Sequence, residues 1–175
     1  MATANIVLTP GAAVFGDGST DNIPPALSRK KGAQSGADVH YLGLGFDGAG
    51  SVHESCYWTF PMPGDYASGG TLKLWGEINS TTGNVAVMQA QVSAVTPADA
   101  DTIVQHALST AATVNITANT TEADRVLQGD ITLNMDSAAA GDIITIRLFR
   151  DPAHGSDTHT TDFFFTGAIF TYTTT

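Results

Sequence analysis

The densest group of side chains that could do chemistry lies in residues 150–162, which contain two histidines and three aspartates. Imidazole nitrogens and carboxylate oxygens both bind divalent metals, so His154, His159 and the neighbouring aspartates form a candidate metal site. Their spacing matches no recognised ligand pattern, and polar side chains are common in loops. The segment from Asp151 to Asp162 is therefore interpreted as a solvated loop or a subunit contact in preference to a metal site.

Two further arrangements could support catalysis, and each has a simpler explanation. Glu54 and Asp65 flank the segment around Trp58, and a glycosidase needs two carboxylates across a cleft, but an acidic β-protein offers many such pairs. Cys56, the only cysteine, would need a neighbouring base to act as a nucleophile. Because it shares a strand face with Trp58 and Phe60, a buried structural cysteine is predicted. No catalytic, cofactor-binding or metal-ligating residue is assigned.

Two aromatic residues are candidates for ligand contact. Trp75 is two residues from Lys73 and from Glu77, so the three are predicted to share a polar strand face. Tyr57 is adjacent to Trp58 and is predicted to lie on the opposite face of its strand. An exposed ring can stack on a sugar, but it can equally be covered by a neighbouring subunit, where Trp and Tyr are enriched. Of the two, the subunit contact is favoured.

A single basic cluster, formed by Arg29, Lys30 and Lys31, carries three of the seven cationic side chains. It could pin an extended N-terminal arm onto an acidic neighbour, including another copy of this chain. An ordinary solvated loop is the alternative, and it is weighted slightly higher.

Charge and composition exclude several classes of function. The chain has 17 acidic and seven basic side chains, and its formal net charge of −10 opposes binding to nucleic-acid phosphates or to an anionic membrane. One cysteine permits no intrachain disulfide. The first ten residues do not resemble a secretory signal, so synthesis and residence in a reducing cytoplasm are expected.

Threonine, β-branched and aromatic residues dominate, and glycine and proline recur along the chain, which predicts strands separated by turns. A turn or one short helix is expected between Pro97 and Leu108. The predicted strands occupy about residues 39–46, 55–60, 71–78, 84–95, 113–118, 125–135, 143–150 and 163–172.

This pattern predicts an all-β fold, a two-sheet antiparallel jelly-roll sandwich of about eight strands. The sandwich is expected to occupy residues 37–175. Residues 1–36, with their Gly-Asp-Gly and Pro-Pro sequences, are predicted to be an extended N-terminal arm.

Several segments resemble virion proteins of tailed bacteriophages. They include Tyr57-Trp58-Thr59-Phe60-Pro61-Met62-Pro63-Gly64-Asp65-Tyr66 and Gly69-Gly70-Thr71-Leu72, then Gly83-Asn84-Val85, Ala140-Gly141-Asp142, Arg147-Leu148-Phe149-Arg150-Asp151, Asp162, Gly167 and Phe170-Thr171-Tyr172. The resemblance covers about residues 37–173 and consists of strands and turns, with no catalytic signature.

What the resemblance implies is a non-enzymatic jelly-roll protein of the virion, assembled in the host cytoplasm. The leading hypothesis is a capsid decoration (cement) protein that attaches to the shell as a homo-oligomer. A homotrimer is expected, with the major capsid protein or another virion protein as its partner. The alternative is a carbohydrate-binding or receptor-binding module of a fibre or tail, with Trp75 or Tyr57 as the sugar platform. A glycan-active enzyme using Glu54 and Asp65 is the third hypothesis. No cofactor is predicted.

Overall fold

The computed structural model describes residues 2–32, 39–98, 100, 102–103 and 106–175. Within these residues the regular structure is β-strand, apart from one 3-10 turn at Pro10–Ala12, and no α-helix occurs. The strands β1 to β11 span Thr3–Leu8, Val14–Phe15, Ala26–Gly32, Val39–Phe46, Glu54–Pro61, Tyr66–Ile78, Val85–Val95, Ala112–Thr117, Val126–Thr132, Ile143–Arg150 and Phe163–Thr174.

The strands form two antiparallel sheets. The six-stranded sheet has the order β3-β4-β11-β6-β9, with β1 pairing along the other half of β11. The five-stranded sheet has the order β2-β5-β10-β7-β8. Eight strands divided in this way, β4-β11-β6-β9 facing β5-β10-β7-β8, form a jelly roll. The predicted all-β, two-sheet sandwich is confirmed.

The core lies between the sheets, and alternation along each strand determines which side chains fill it. The inward sets that the sequence predicts on β6 and β10 are buried, and β5 directs Cys56 and Trp58 into the same core. Phenylalanines of β11 meet them from the other sheet, with the ring centroids of Trp58 and Phe165 5.8 Å apart. The sandwich therefore closes on aromatic contacts between β5 and β11.

The structure differs from the prediction over residues 1–36, which were expected to form a separate extended arm. β1 pairs with β11, β2 pairs with β5, and β3 pairs with β4, so this segment contributes strands to both sheets. Leu8 is buried in the common core, and the carbonyl oxygen of Thr9 accepts a hydrogen bond of 3.0 Å from the Trp58 indole nitrogen. The N-terminal segment is thus integrated into the jelly roll.

The physical reason for this difference is that these are edge strands. An edge strand has a neighbour on one side only, and charged residues, especially lysine, are common on it. β3 contains Arg29, Lys30 and Lys31, which hide its alternation, and the partner of β1 lies at the other end of the chain.

The β3–β4 hairpin has two distinct faces. Leu27, Arg29 and Leu42 lie on the face that continues the core side of the sheet, whereas Lys30 and Tyr41 lie on the outer face. The hairpin extends beyond the core, so Leu27 and Leu42 remain 50% and 43% exposed.

Between Pro97 and Leu108 the described residues form turns, a bend and irregular chain, and no helix. In the described part of the chain, no helix is long and apolar enough to cross a membrane.

The two ends of the chain meet. Thr3 lies opposite Thr173 in the β1–β11 pair, and the amide of Thr174 donates a hydrogen bond of 3.0 Å to the carbonyl oxygen of Ala2.

Candidate functional site

The two candidate aromatic residues lie on opposite outer faces of the sandwich. Tyr57 is on the outer face of the five-stranded sheet, next to Arg147 of β10, and Trp75 is on the outer face of the six-stranded sheet, next to Gln128 of β9. Both rings are half-buried. They cannot contribute to a single platform, so each face is considered separately.

Polar side chains cover the centre of the outer face of the five-stranded sheet. Strand register places Tyr57, Arg147 and Gln91 in one row and Thr59, Thr145 and Ser93 in the next. A groove of about 320 Å³ runs over this face, and we call it the Tyr57 groove. Its lining comprises Val14, Tyr57, Thr59, Ser93, Ile103, His106, Leu108 and Thr145.

The row behind the groove is held by Arg147. Its guanidinium donates hydrogen bonds of 3.0 and 2.8 Å to the Ser55 hydroxyl and one of 2.9 Å to the Gln91 side-chain oxygen, and it also bonds to the Asp21 carbonyl. It lies 4.3 Å from the centroid of the Phe149 ring. Burial lowers the pKa of Arg147 from its ordinary value. A guanidinium committed to neutral acceptors orients its neighbours, which makes this row rigid.

The loop before β3 anchors Tyr57 at one edge of the groove, where Val14 of β2 also contributes to the lining. The Tyr57 hydroxyl donates a 2.5 Å hydrogen bond to the side-chain oxygen of Asn22. Asn22 in turn donates a hydrogen bond of 3.0 Å to Asp17, which also accepts bonds from the amide and hydroxyl of Ser19. The phenol of Tyr57 is therefore fixed at its tip while the rest of its ring borders the groove.

The segment before β8 forms the opposite wall. The side chain of Gln91 donates a 2.9 Å hydrogen bond to the Ser109 carbonyl, and the Ser109 hydroxyl accepts one of 3.0 Å from the Val92 amide. His106 lies 2.8 Å from a carboxylate oxygen of Asp136. The groove thus has one aromatic edge, a floor of hydroxyl groups and a histidine held beside Asp136.

On the outer face of the other sheet, β6 places a buried carboxylate beneath a lysine. Glu77 accepts a hydrogen bond of 2.6 Å from the Tyr41 hydroxyl and forms an ion pair of 2.8 Å with Lys30. Lys30 also lies 4.6 Å from the centroid of the Phe164 ring. Burial and the neighbouring Glu77 raise the pKa of Tyr41. Lys30 and Tyr41 therefore partly cover the face of β6 that was predicted to be polar and exposed.

The segment of histidines and aspartates is built around a buried ion pair. Arg150 donates hydrogen bonds of 3.0 and 2.8 Å to the two carboxylate oxygens of Asp157, and both side chains are almost completely buried. Arg150 also donates to carbonyl oxygens of Phe46 and Thr161. Among the described residues no three His, Cys, Asp or Glu side chains are arranged to hold a metal. This segment closes the end of the sandwich, a role that the sequence did not indicate for Arg150.

The two candidate catalytic arrangements are not assembled into a site. Glu54 begins β5 and accepts a hydrogen bond from the Asp47 amide, whereas Asp65 lies beyond the other end of β5 and accepts one from the Tyr172 hydroxyl. An eight-residue strand spans roughly 25 Å, so the two carboxylates do not face one cleft. Cys56 is completely buried, which confirms its predicted burial.

Comparisons with known proteins return structural similarities only. No protein-family model matches the sequence, and no curated protein matches it. Among solved structures, CBM35 from Cellvibrio japonicus Abf62 is 10% identical with a TM-score of 0.46, covering 98% of this chain and 95% of that one. A carbohydrate-binding module, CBM28, specific for non-crystalline cellulose, is 11% identical with a TM-score of 0.45, covering 93% and 86%.

A third similar structure is the CBM22-1–GH10 portion of xylanase 10B from Clostridium thermocellum, solved with xylohexaose. It is 14% identical with a TM-score of 0.47, and the match covers 94% of this chain but 28% of that protein. The present chain therefore spans less than a third of that xylanase structure.

Proposed function

We propose that this protein is a non-enzymatic carbohydrate-binding module whose ligand lies in the Tyr57 groove. The observation that carries the proposal is the half-buried ring of Tyr57, fixed at its hydroxyl, beside a floor on which the Thr59 and Thr145 hydroxyls are hydrogen-bonded to each other at 3.0 Å. Binding sites commonly combine an apolar or aromatic surface with a few oriented polar groups, which suits a sugar ring.

Rigidity supports this choice of face. Tyr57 is held by its hydrogen bond to Asn22, and the hydroxyls of Thr59 and Thr145 bond to each other, so little side-chain entropy would be lost on binding. Groups fixed by surrounding hydrogen bonds bind more tightly than groups that must first be ordered.

We prefer a binding role to hydrolysis on the basis of the described residues that line the groove. The described lining residues include one histidine and no carboxylate, whereas glycoside hydrolysis generally uses two carboxylates.

The decisive experiment is a glycan array followed by calorimetry on any glycan that binds. Tyr57→Ala should weaken binding at least about tenfold, because it removes the aromatic edge, while Thr145→Val should weaken it less. Trp75→Ala, on the opposite face, is the matched control and should leave affinity unchanged, with melting temperatures measured for all variants. A dependence on Trp75 and not on Tyr57 would refute the choice of face, and failure to bind any glycan would refute the function.

A second proposal is a structural role in a phage virion, as a capsid decoration protein that assembles as a homo-oligomer. It rests on the resemblance carried by residues 57–66 and the later segments, and the jelly-roll fold agrees with it. Imaging of particles from the native source, with an antibody to this chain, is the test. Labelling of the shell supports the proposal, labelling of a fibre or tail would favour a receptor-binding module, and unlabelled particles would exclude both placements.

A further inference from the structure

An exposed patch that combines apolar and positively charged groups lies on the core-side face of the β3–β4 hairpin. Arg29 lies opposite Leu42 in the register, with Leu27 two residues away on the same face, and all three side chains are exposed. We call these three residues the basic patch. Two exposed leucines around a guanidinium are unusual on a chain with a net charge of −10 and fit a surface that becomes covered.

The outer face of the same sheet holds a pocket of the opposite character. Its volume is about 430 Å³, and we call it the acidic pocket. Val39 and Val126, 63% and 71% exposed, form its rim. The remaining lining comprises Tyr41, Gly76, Glu77, Asp124 and Thr166.

Among the residues that the structure describes, the two carboxylates of the pocket share one cation, which leaves one negative charge uncompensated. Glu77 and Asp124 carry two carboxylates, and Lys30 is the cation that contacts both, at 2.8 Å from Glu77 and 4.0 Å from Asp124. Asp124 is also bonded to the neutral side chain of Asn79 at 2.8 Å, and its side chain is 45% exposed. A second cation with an apolar stem therefore fits the pocket, and arginine has both features.

The basic patch and the acidic pocket lie on opposite faces of the six-stranded sheet, so they cannot meet within a single chain. We infer that the basic patch of one copy docks onto the acidic pocket of a second copy, with Arg29 directed towards Asp124. Such a contact joins two different surfaces, which generates a closed ring or an open chain of subunits. The inference specifies the contact surface of the homo-oligomer in the second proposal above and is independent of the Tyr57 groove.

Sedimentation equilibrium on the full chain tests this contact through a double-mutant cycle. Arg29→Gln and Asp124→Asn should each weaken self-association by roughly three- to tenfold, and the double variant should be no weaker than the weaker single variant. Asparagine is chosen at residue 124 because it tolerates the positive φ of 57° found there and retains an acceptor for the Asn79 side chain. Glu122→Gln, in the same turn but outside the pocket lining, is the matched control.

Each outcome has a distinct meaning. Additive losses in the cycle, or association unchanged in both single variants, would overturn the contact while leaving homo-oligomerisation intact. A monomer at concentrations up to roughly 1 mM would overturn the contact and the homo-oligomer together. Glycan binding measured on the same samples reports separately on the Tyr57 groove.

Discussion

Arg150 is the side chain whose hydrogen bonds hold one end of the sandwich together. It joins β10 to Asp157 and to the carbonyl oxygens of Phe46 and Thr161, and it is completely buried. A buried guanidinium is tolerated only because its hydrogen bonds are satisfied, and removing it leaves the carboxylate of Asp157 without compensation.

Arg150→Met should therefore lower the free energy of unfolding by about 3–5 kcal/mol, measured by urea denaturation. Lys73→Met is the control, because it removes one partner of an exposed ion pair with a separation of 3.8 Å and should cost less than about 1 kcal/mol. Equal losses in the two variants would contradict the structural role of Arg150.

His159 gives the stability a dependence on pH. Burial, and secondarily the charge of Arg150, lowers the pKa of His159 from its ordinary 6.5. The unfolded chain then binds this proton at a higher pH than the folded chain does, so the free energy of unfolding should decrease as the pH falls through about 6.5. His159→Gln should reduce this slope in urea titrations between about pH 7.5 and 5.5, and an unchanged slope would exclude the histidine as its source.

At the scale of elements, the N-terminal strand is part of the core. Val7 and Leu8 are adjacent in β1, but Val7 is 67% exposed and Leu8 is 3% exposed. Leu8→Ala should cost about 2–4 kcal/mol because it leaves a cavity, whereas Val7→Ala should change the stability by no more than about 0.5 kcal/mol. Thermal unfolding of the pair tests this, and indistinguishable variants would show that β1 does not share the core.

Local alternation made the central strands predictable, and its absence at the edges made the N-terminal strands unpredictable. Leu72, Leu74 and Ile78 alternate with polar neighbours, so their strand and its inward face follow from the sequence. The pairing of β1 with β11 depends on contacts across nearly the whole chain, which no local pattern encodes. β3 shows no alternation because charged residues dominate it, and charged residues are common on edge strands.

The candidate site was predictable in its aromatic residue but not in its setting. Alternation placed Tyr57 on the outer face of β5, opposite Trp58, and this is where it lies. Asn22, which fixes Tyr57, and Ser109, which accepts a hydrogen bond from Gln91, come from loops whose positions depend on tertiary contacts. Arg147 lies in a predicted strand, but its partners in β5 and β7 become neighbours only when β10 lies between those strands.

At the scale of the whole molecule, the meeting of the chain ends makes the fold tolerant of a new starting point. A circular permutant that joins residue 175 to residue 2 by a short glycine linker, and opens in the exposed turn at Thr81, should fold with a stability within roughly 2 kcal/mol of the parent. A permutant opened between Ile146 and Arg147, in the centre of β10, is the control and should not fold. Circular dichroism and urea denaturation report both outcomes, and failure of the Thr81 permutant to fold would contradict the closeness of the ends.

The burial of Cys56 makes the modification rate of the only thiol a measure of how often the sandwich opens. Its side chain is completely enclosed, and burial raises the pKa of the thiol well above its ordinary value, so the reactive thiolate is suppressed while the sandwich is closed. An alkylating reagent therefore reaches the thiol only when β5 separates from the facing sheet. The rate at which the thiol is consumed therefore records how often the two sheets part, in native buffer and without any engineered label.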